Sequence, residues 1–320
     1  MSASANKFGQ LFQWSTFGES HGPAMGVVID GCPAGVTFDA SLLETKLNAR
    51  RPGQSEHVSS RQESDCPEIL SGVYEGKTLG TPIAVIIRNQ DARSEDYKEV
   101  RSNPRVGHAD DTWLGKFGHC DFRGGGRASA RETVNWVIAG SFAQMFVRGL
   151  VPSAQVKSHL SSVGPLQGKE LDLKLSDLLA QAKESGDSYG AQMQITLENV
   201  PPFLGEPIFH KIKADLAHAF MGLNAVTGVE LGGGFSMTQK RGSEVHHAQD
   251  SNVYGGIRGG ITTGEAIHMN LAFKPTATIG DLSKSGRHDP CVALRAGVVV
   301  EAMAWSVLAD HLLMARLNRL

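Results

Sequence analysis

Residues 122–149 read FRGGGRASARETVNWVIAGSFAQMFVRG. Glycine and arginine crowd the first part of this stretch. The second part carries Val134, Val137, Ile138, Phe142, Met145 and Phe146, a spacing that predicts a long apolar helix over 129–149. Ser129 followed by Glu132 is a capping-box pattern that would open it. The C-terminal stretch 290–317 looks like a counterpart. It is also rich in apolar residues and follows a loop of Gly, Arg and polar groups (SGRHDP), with Asp289 as the expected N-cap and Pro290 as the first helical residue.

Around these two helices the pattern alternates between strands and shorter helices. Residues 24–30 (AMGVVID) and 82–88 (PIAVIIR) are short, β-branched and bounded by Gly or Pro, so they predict strands, as does 190–198. In 265–273, Ile267, Met269, Leu271 and Phe273 alternate, as in a half-buried strand. Ser41 with Glu44 predicts a helix running to about Arg50, and Ile208, Ile212, Leu216 and Phe220 predict another over 206–223. The order is mixed, without a strict βαβα rhythm. The expected class is α+β, with antiparallel sheets packed on long buried helices. No linker rich in Pro, Ser or charge divides the 320 residues, which predicts one domain over 1–320.

Composition narrows the partners. Lys plus Arg is 31 and Asp plus Glu is 33, a net charge of −2, which argues against a general binder of nucleic acid or of anionic membranes. No run approaches 18 consecutive apolar residues and no signal peptide is visible, so a cytoplasmic protein is expected. No two of Cys32, Cys66, Cys120 and Cys291 are spaced C-x-x-C, which argues against a zinc site and leaves reduced thiols as the expectation. Glycine is in excess at 37 residues, about 12% against roughly 7% in average proteins.

Several motifs place chemistry. In 122–133 three glycines let the backbone approach a ligand, Arg123, Arg127 and Arg131 supply positive charge, and a helix would start beside them. That is a recipe for an anion site, most simply phosphate. G-x-G-x-x-G is not met, and Gly72–Thr78 falls one residue short of a P-loop and leads into a strand. Gly18-Glu-Ser-His-Gly22 formally fits the nucleophile elbow of serine hydrolases, but a strand follows where the elbow needs a helix. Ser20 and His21 on a tight loop suit proton donation, or a turn with no role. His108 and Asp110, like His119 and Asp121, are H-x-D pairs that could bind metal, although acid–base or anion chemistry at His108 beside Arg105 fits better. Asp289 could cap a helix or shuttle a proton. Gly255–Gly260 is a tight loop, and Lys274–Thr278 ends a strand with hydroxyls and one cation.

Together these segments resemble the chorismate synthase family. The matching pieces are FGESHG (17–22), RRPG (50–53), GHAD (107–110), RGGGRASARET (123–133), GLNAVTGVELGGGF (222–235), GGIRGGITTG (255–264), KPT (274–276) and GRHDPC (286–291). They come in the family order and span residue 9 to about 314. The resemblance implies a β-α-β sandwich, a homotetramer and a carbon–oxygen lyase acting on phosphates. The reaction it implies is the 1,4-anti elimination of phosphate from 5-enolpyruvylshikimate 3-phosphate to give chorismate, with reduced FMN, at the last common step of the shikimate pathway. NADPH is implied as a possible reductant, with Arg50 as a contact. By resemblance His21 would serve the departing phosphate, His108 the flavin N1–C2 edge and Asp289 flavin N5. Ser20, Arg50, Arg105, Ser129, Arg131 and Arg287 would hold substrate. Arg127, Ala128, Ser129, Asn224, Ala225, Gly259, Lys274, Pro275, Thr276, Ala277, Thr278 and Arg287 would surround FMN. Glu56 stands where relatives often carry Arg, and the regions 158–172 and 279–285 are shorter than usual. The other reading is a homologue that binds flavin or phosphate without catalysis.

Overall fold

The computed structural model describes residues 5–51, 65–89, 107–121, 123–246, 252–280 and 289–318. The first half of the chain gives β1 (Lys7–Phe8), β2 (Gln13–Phe17), β3 (Ala24–Asp30), α1 (Ala40–Arg50), β4 (Pro67–Ile69), the small hairpin β5 (Val73–Tyr74) and β6 (Lys77–Thr78), β7 (Ile83–Arg88), α2 (Asp110–Phe117) and α3 (Thr133–Leu150). The second half gives β8 (Gln155–Val163), β9 (Leu166–Gln167), α4 (Lys169–Ser185), β10 (Ala191–Glu198), α5 (Ile212–Met221), β11 (Val226–Leu231), α6 (Gly242–His246), the hairpin β12 (Ile257–Arg258) and β13 (Ile261–Thr262), β14 (Ile267–Phe273) and α7 (Gly297–Ala315).

Two five-stranded antiparallel sheets result, in the orders β1-β2-β3-β7-β4 and β11-β14-β10-β8-β9. Alternation sets their registers. Met25, Val27 and Ile29 face Ile87, Val85 and Ile83 across β3 and β7, and all six are fully buried. In the second sheet Met193, Ile195 and Leu197 of β10 pair with Leu271, Met269 and Ile267 of β14, again all buried. Helix α3 packs on β3, α7 packs on β8 and β10, and the two helices pack on each other. The architecture is therefore a sheet–helix–sheet sandwich, and the apolar residues of all layers join in one core cluster.

Fourteen of the eighteen residues of α3 are buried, on every side of the helix. A helix with no polar face belongs inside a protein. Helix α7 is long and apolar enough to cross a membrane by composition, yet 72% of its apolar window is buried against the rest of the chain. The two helices meet at Gly140. A Cβ built there would lie 2.3 Å from Ala302 Cβ and 2.4 Å from Ala302 Cα. Asp310 in α7 anchors the N-terminus by accepting three backbone N–H bonds, from Gln10 (2.8 Å), Leu11 (2.6 Å) and Phe12 (2.9 Å).

The helix ends differ from expectation. Asp39, not Ser41, caps α1, its Oδ1 accepting from the Leu42 N–H at 2.9 Å; a carboxylate two residues upstream already satisfies the free donor. Helix α5 begins at Ile212, not 206, and Ile208 is exposed. Pro290 does not open α7. Cys291 precedes a 3₁₀ turn over Val292–Arg295, and α7 starts at Gly297. Ser129 caps only a 3₁₀ turn, Ala130–Glu132, before α3. The short region 158–172 holds the β8–β9 turn.

The Gly140 contact makes a direct prediction. Gly140→Ala adds one methyl group where the facing backbone already stands. It should destabilise the fold by about 1–3 kcal/mol through overpacking, despite the gain of up to about 1 kcal/mol in helix propensity. Urea unfolding of the variant beside the wild type measures this, and an unchanged or raised midpoint would contradict so close an approach.

Candidate active site

The turn between β2 and β3 carries GESHG. Gly18 leaves β2 with φ +90°, and a Cβ there would lie 2.2 Å from the Ala24 carbonyl oxygen, so the position requires glycine. Gly22 N–H donates to the Glu19 carbonyl at 3.0 Å, closing the turn. Ser20 and His21 are buried, at 0% and 6% exposure. Ser20 Oγ lies 3.1 Å from His21 Nδ1 and 3.3 Å from the Arg123 carbonyl oxygen. The hydroxyl has one hydrogen. Given to the carbonyl, it leaves Oγ to accept from His21 Nδ1–H, which assigns proton exchange to Nε2. Glu19 lies beside Gly126, and burial pushes its carboxyl up, with Arg127 opposing.

The arginine-rich stretch differs from the anion loop expected of it. Residues Arg123–Ala128 form a 3₁₀ helix, and each arginine has a carboxylate partner. Arg123 forks onto Asp121 through Nε (2.8 Å) and Nη2 (2.6 Å) and, by that hydrogen bond, holds its carboxyl below the ordinary value. Arg127 binds Glu132 Oε2 (2.8 Å), Thr16 Oγ1 (2.6 Å) and the Gly18 carbonyl (3.2 Å). It clamps the turn, so its guanidinium faces protein groups here and not an open cradle. Ser129 Oγ accepts from the Arg131 N–H at 3.3 Å.

Arg131 reaches the other way, onto Asp65 Oδ1, while Arg50 Nη2 binds Asp65 Oδ2 at 2.8 Å. All three side chains are buried. Burial opposes the charge on Asp65, but the two guanidiniums outweigh it and hold the carboxyl below its ordinary range. Burial comes first in pushing the Arg50 pKa down, followed by Asp65 in the opposite sense and the like charges of Arg131 and Arg295. Arg295 in turn pairs with Asp289 Oδ2. In the pairs formed among the described residues, three guanidiniums meet two carboxylates. Among the described residues, Arg50 Nε and Arg295 Nε are buried donors with no acceptor. Guanidiniums gathered in this way, with buried donors to spare among the described residues, suit an anionic ligand. Arg50, also the candidate NADP contact, is therefore enclosed in this cluster.

A second set of contacts gathers the segments expected around a flavin. His108 Nδ1 lies 2.8 Å from Asp110 Oδ1, in the first turn of α2, so the H-x-D pair orients an imidazole. Lys274 Nζ donates to the Gly107 carbonyl (3.2 Å), and Lys274 N–H to the Ala225 carbonyl (2.9 Å). Asn224 Nδ2 donates to the Ala128 carbonyl (2.9 Å), and Thr276 Oγ1 to the Asp289 carbonyl (2.9 Å). A Cβ at Gly107 would touch Ala277 at 3.3 Å. His108, Ala128, Asn224, Ala225, the segment Lys274–Thr278 and Asp289 are thereby linked. Gly259 is not joined to them among the described residues; its hairpin is held by Leu204 and Ile212. Arg105, Arg287, Glu56 and His288 lie outside the described residues.

Asp65, Asn89, Asp110 and Arg295 are the residues the sequence reading did not assign to the site. Asp110 alone had a signal, its spacing from His108. The others stand in no local motif; Asp65 and Asn89 act through partners far away in the chain, and Arg295 through Asp289 six residues before it.

The Asp65 cluster predicts acid sensitivity. Its folded pKa is depressed, so its stabilisation is complete above the unfolded value of about 3.9 and lost as pH falls through the lower folded value. Asp65→Ala should cost about 3–5 kcal/mol near pH 7, because it leaves buried guanidiniums uncompensated. Urea unfolding at stepped pH should show the gap between variant and wild type closing below about pH 4. A gap independent of pH would contradict the pairing.

Comparison with known proteins bears on the family and the fold. The chain matches the chorismate synthase family over residues 12–313. It is 50% identical over 341 aligned positions to the chorismate synthase of Bdellovibrio bacteriovorus (strain HD100), covering 99% of this chain and all of that one. A solved structure titled "Crystal Structure of Chorismate Synthase" superposes with a TM-score of 0.78 at 30% identity, over 96% of this chain and 93% of that one. With family, relative and fold in agreement, the chain belongs to the chorismate synthase family of carbon–oxygen lyases.

Proposed function

We propose that this chain eliminates phosphate from 5-enolpyruvylshikimate 3-phosphate in the 1,4-anti sense to give chorismate, with reduced FMN bound beside the substrate. The observation that carries the reading is the gathering of Arg50, Arg131 and Arg295 around Asp65 and Asp289, with two buried Nε donors, those of Arg50 and Arg295, that have no acceptor among the described residues. A substrate bearing carboxylates and a phosphate supplies anionic acceptors. Arg50 and Arg131 hold it, with Ser20 and Ser129 as hydroxyl partners. His21, with Nδ1 turned to Ser20, holds a proton at the leaving phosphate oxygen through Nε2. The guanidiniums stabilise the charge that grows on that phosphate as the carbon–oxygen bond breaks. Arg105 and Arg287 join this set by family resemblance.

The second group of linked residues suits a flavin. Asn224, Ala225 and Lys274–Thr278 (Lys274, Pro275, Thr276, Ala277 and Thr278) offer backbone groups, hydroxyls and one cation, as the polar edge of the ring and a phosphate require. Ala128 and Ser129 adjoin them. His108, oriented by Asp110, would meet the ring edge, and Asp289 would exchange a proton with ring N5. Bound reduced FMN would lend electron density to the breaking bond. Arg127 contributes by fixing the Ser20–His21 turn. Arg50 is enclosed on Asp65, which favours an external reductant over NADPH bound at that residue. A cytoplasmic single-domain chain assembled as a homotetramer completes the proposal. The single core cluster supports one domain, and exposed Phe203, Ile208 and Phe209 offer apolar surface for assembly.

Anaerobic incubation of the purified chain with the phosphorylated substrate and chemically reduced FMN tests this. Chorismate should appear with equimolar phosphate, and folded protein that binds FMN without turnover would overturn the proposal. His21→Ala should lower kcat by about 10²- to 10⁴-fold, the usual range for losing a positioned proton donor, while FMN affinity stays near wild type.

A further inference from the structure

The strand β7 ends at Arg88, and the next side chain, Asn89, sits between the two halves of the proposed substrate site. Its amide is used on both sides. Nδ2 donates to the Glu19 carbonyl at 3.1 Å and to the Gly22 carbonyl at 2.8 Å. Oδ1 receives Nε and Nη2 of Arg131, each at 3.4 Å. The partners fix the amide's orientation, because carbonyls demand the NH₂ end and a guanidinium demands the oxygen. The two carbonyls bracket Ser20 and His21, so the amide grips the turn at either side of the residues proposed for chemistry. Through Arg131 it also touches the buried Asp65–Arg50 pair.

We infer that Asn89 is a positioning residue. It sets the His21 imidazole against the buried arginines, so that the proton donor and the anion-binding guanidiniums share one frame. This deepens the proposed function and rests on it. Asparagine is suited to the place. An acid would turn a carboxylate toward two carbonyl oxygens, and an aliphatic residue would leave two carbonyls and the guanidinium edge without these partners. The backbone around it supports the same geometry, since Asn89 N–H donates to the Pro23 carbonyl at 3.1 Å and ties the end of β7 to the far side of the turn.

Two variants separate the halves of the link. Asn89→Asp keeps an acceptor for Arg131 and removes both donors to the turn. Asn89→Ala removes everything. Assayed with chemically reduced FMN, Asn89→Asp should lose about 10- to 100-fold in kcat, the cost of misplacing a reacting group by about 1 Å, with KM within about threefold of wild type. Asn89→Ala should lose kcat similarly and raise KM as well, because the Nε and Nη2 edge of Arg131 then loses the amide oxygen that orients it, while Asp65 still holds Nη1. A purely structural role would lower kcat only together with the unfolding midpoint, so urea unfolding is measured on both. The NMR titration of His21, identified by its loss in His21→Ala, should shift in Asn89→Asp. Wild-type kcat in Asn89→Asp, or an unmoved His21 signal, would overturn the inference. Absence of turnover in the wild type would overturn the proposed function instead, and the His21 signal would still decide the positioning role.

Discussion

The contact between Gly140 and Ala302 organises the molecule. Two long helices cross with backbone almost touching backbone, and only a residue without a side chain allows it. The residues just before α3 and α7 meet near the end of α1. The loops that precede them carry Arg131 and Arg295, and both guanidiniums act on Arg50 at the end of α1. The sheets on either side have only to cover the apolar flanks of the pair. Packing in the middle of the sandwich therefore decides which charged residues meet at its edge.

That edge is built of unequal charge pairs. Arg123 and Arg127 are each matched by a carboxylate, and both serve the local structure. Arg50 and Arg131 share Asp65, and Arg295 holds Asp289. Burying a carboxylate is costly unless cations surround it, and Asp65 is buried between two guanidiniums. A glycine turn, the Arg127 clamp and the Asn89 amide hold the backbone around His21.

Much of this was legible in the residues themselves. The strands at 24–30, 83–88, 191–198 and 267–273 show in β-branched runs or strict alternation, because a half-buried strand must repeat every second residue. Helix α3 shows in its apolar density, and the two helices following Gly–Arg loops correctly suggested a pair. The first turns were harder to read. Ser41, Ser129 and Asp289 each sit in a capping pattern, yet Asp39 caps α1, and 3₁₀ turns precede α3 and α7. Several nearby groups compete for the same free N–H donors, and the winner depends on what else holds the chain. Helix α4 and strand β8 went unnoticed, being exposed enough to blur their periodicity.

The sequence by itself determined the class, the family and the residue types of the site, because glycine turns, arginine density and ordered motifs are local properties of the chain. Only the tertiary structure decided which charges are free to act. Arg123, Arg127 and Arg131 look equivalent along the chain, and their carboxylate partners lie two, five and sixty-six residues away. Asp65 and Asn89 acquire a role solely from such distant pairings. A charge's effect depends on its burial and its neighbours, and both are set by how the helices and sheets pack.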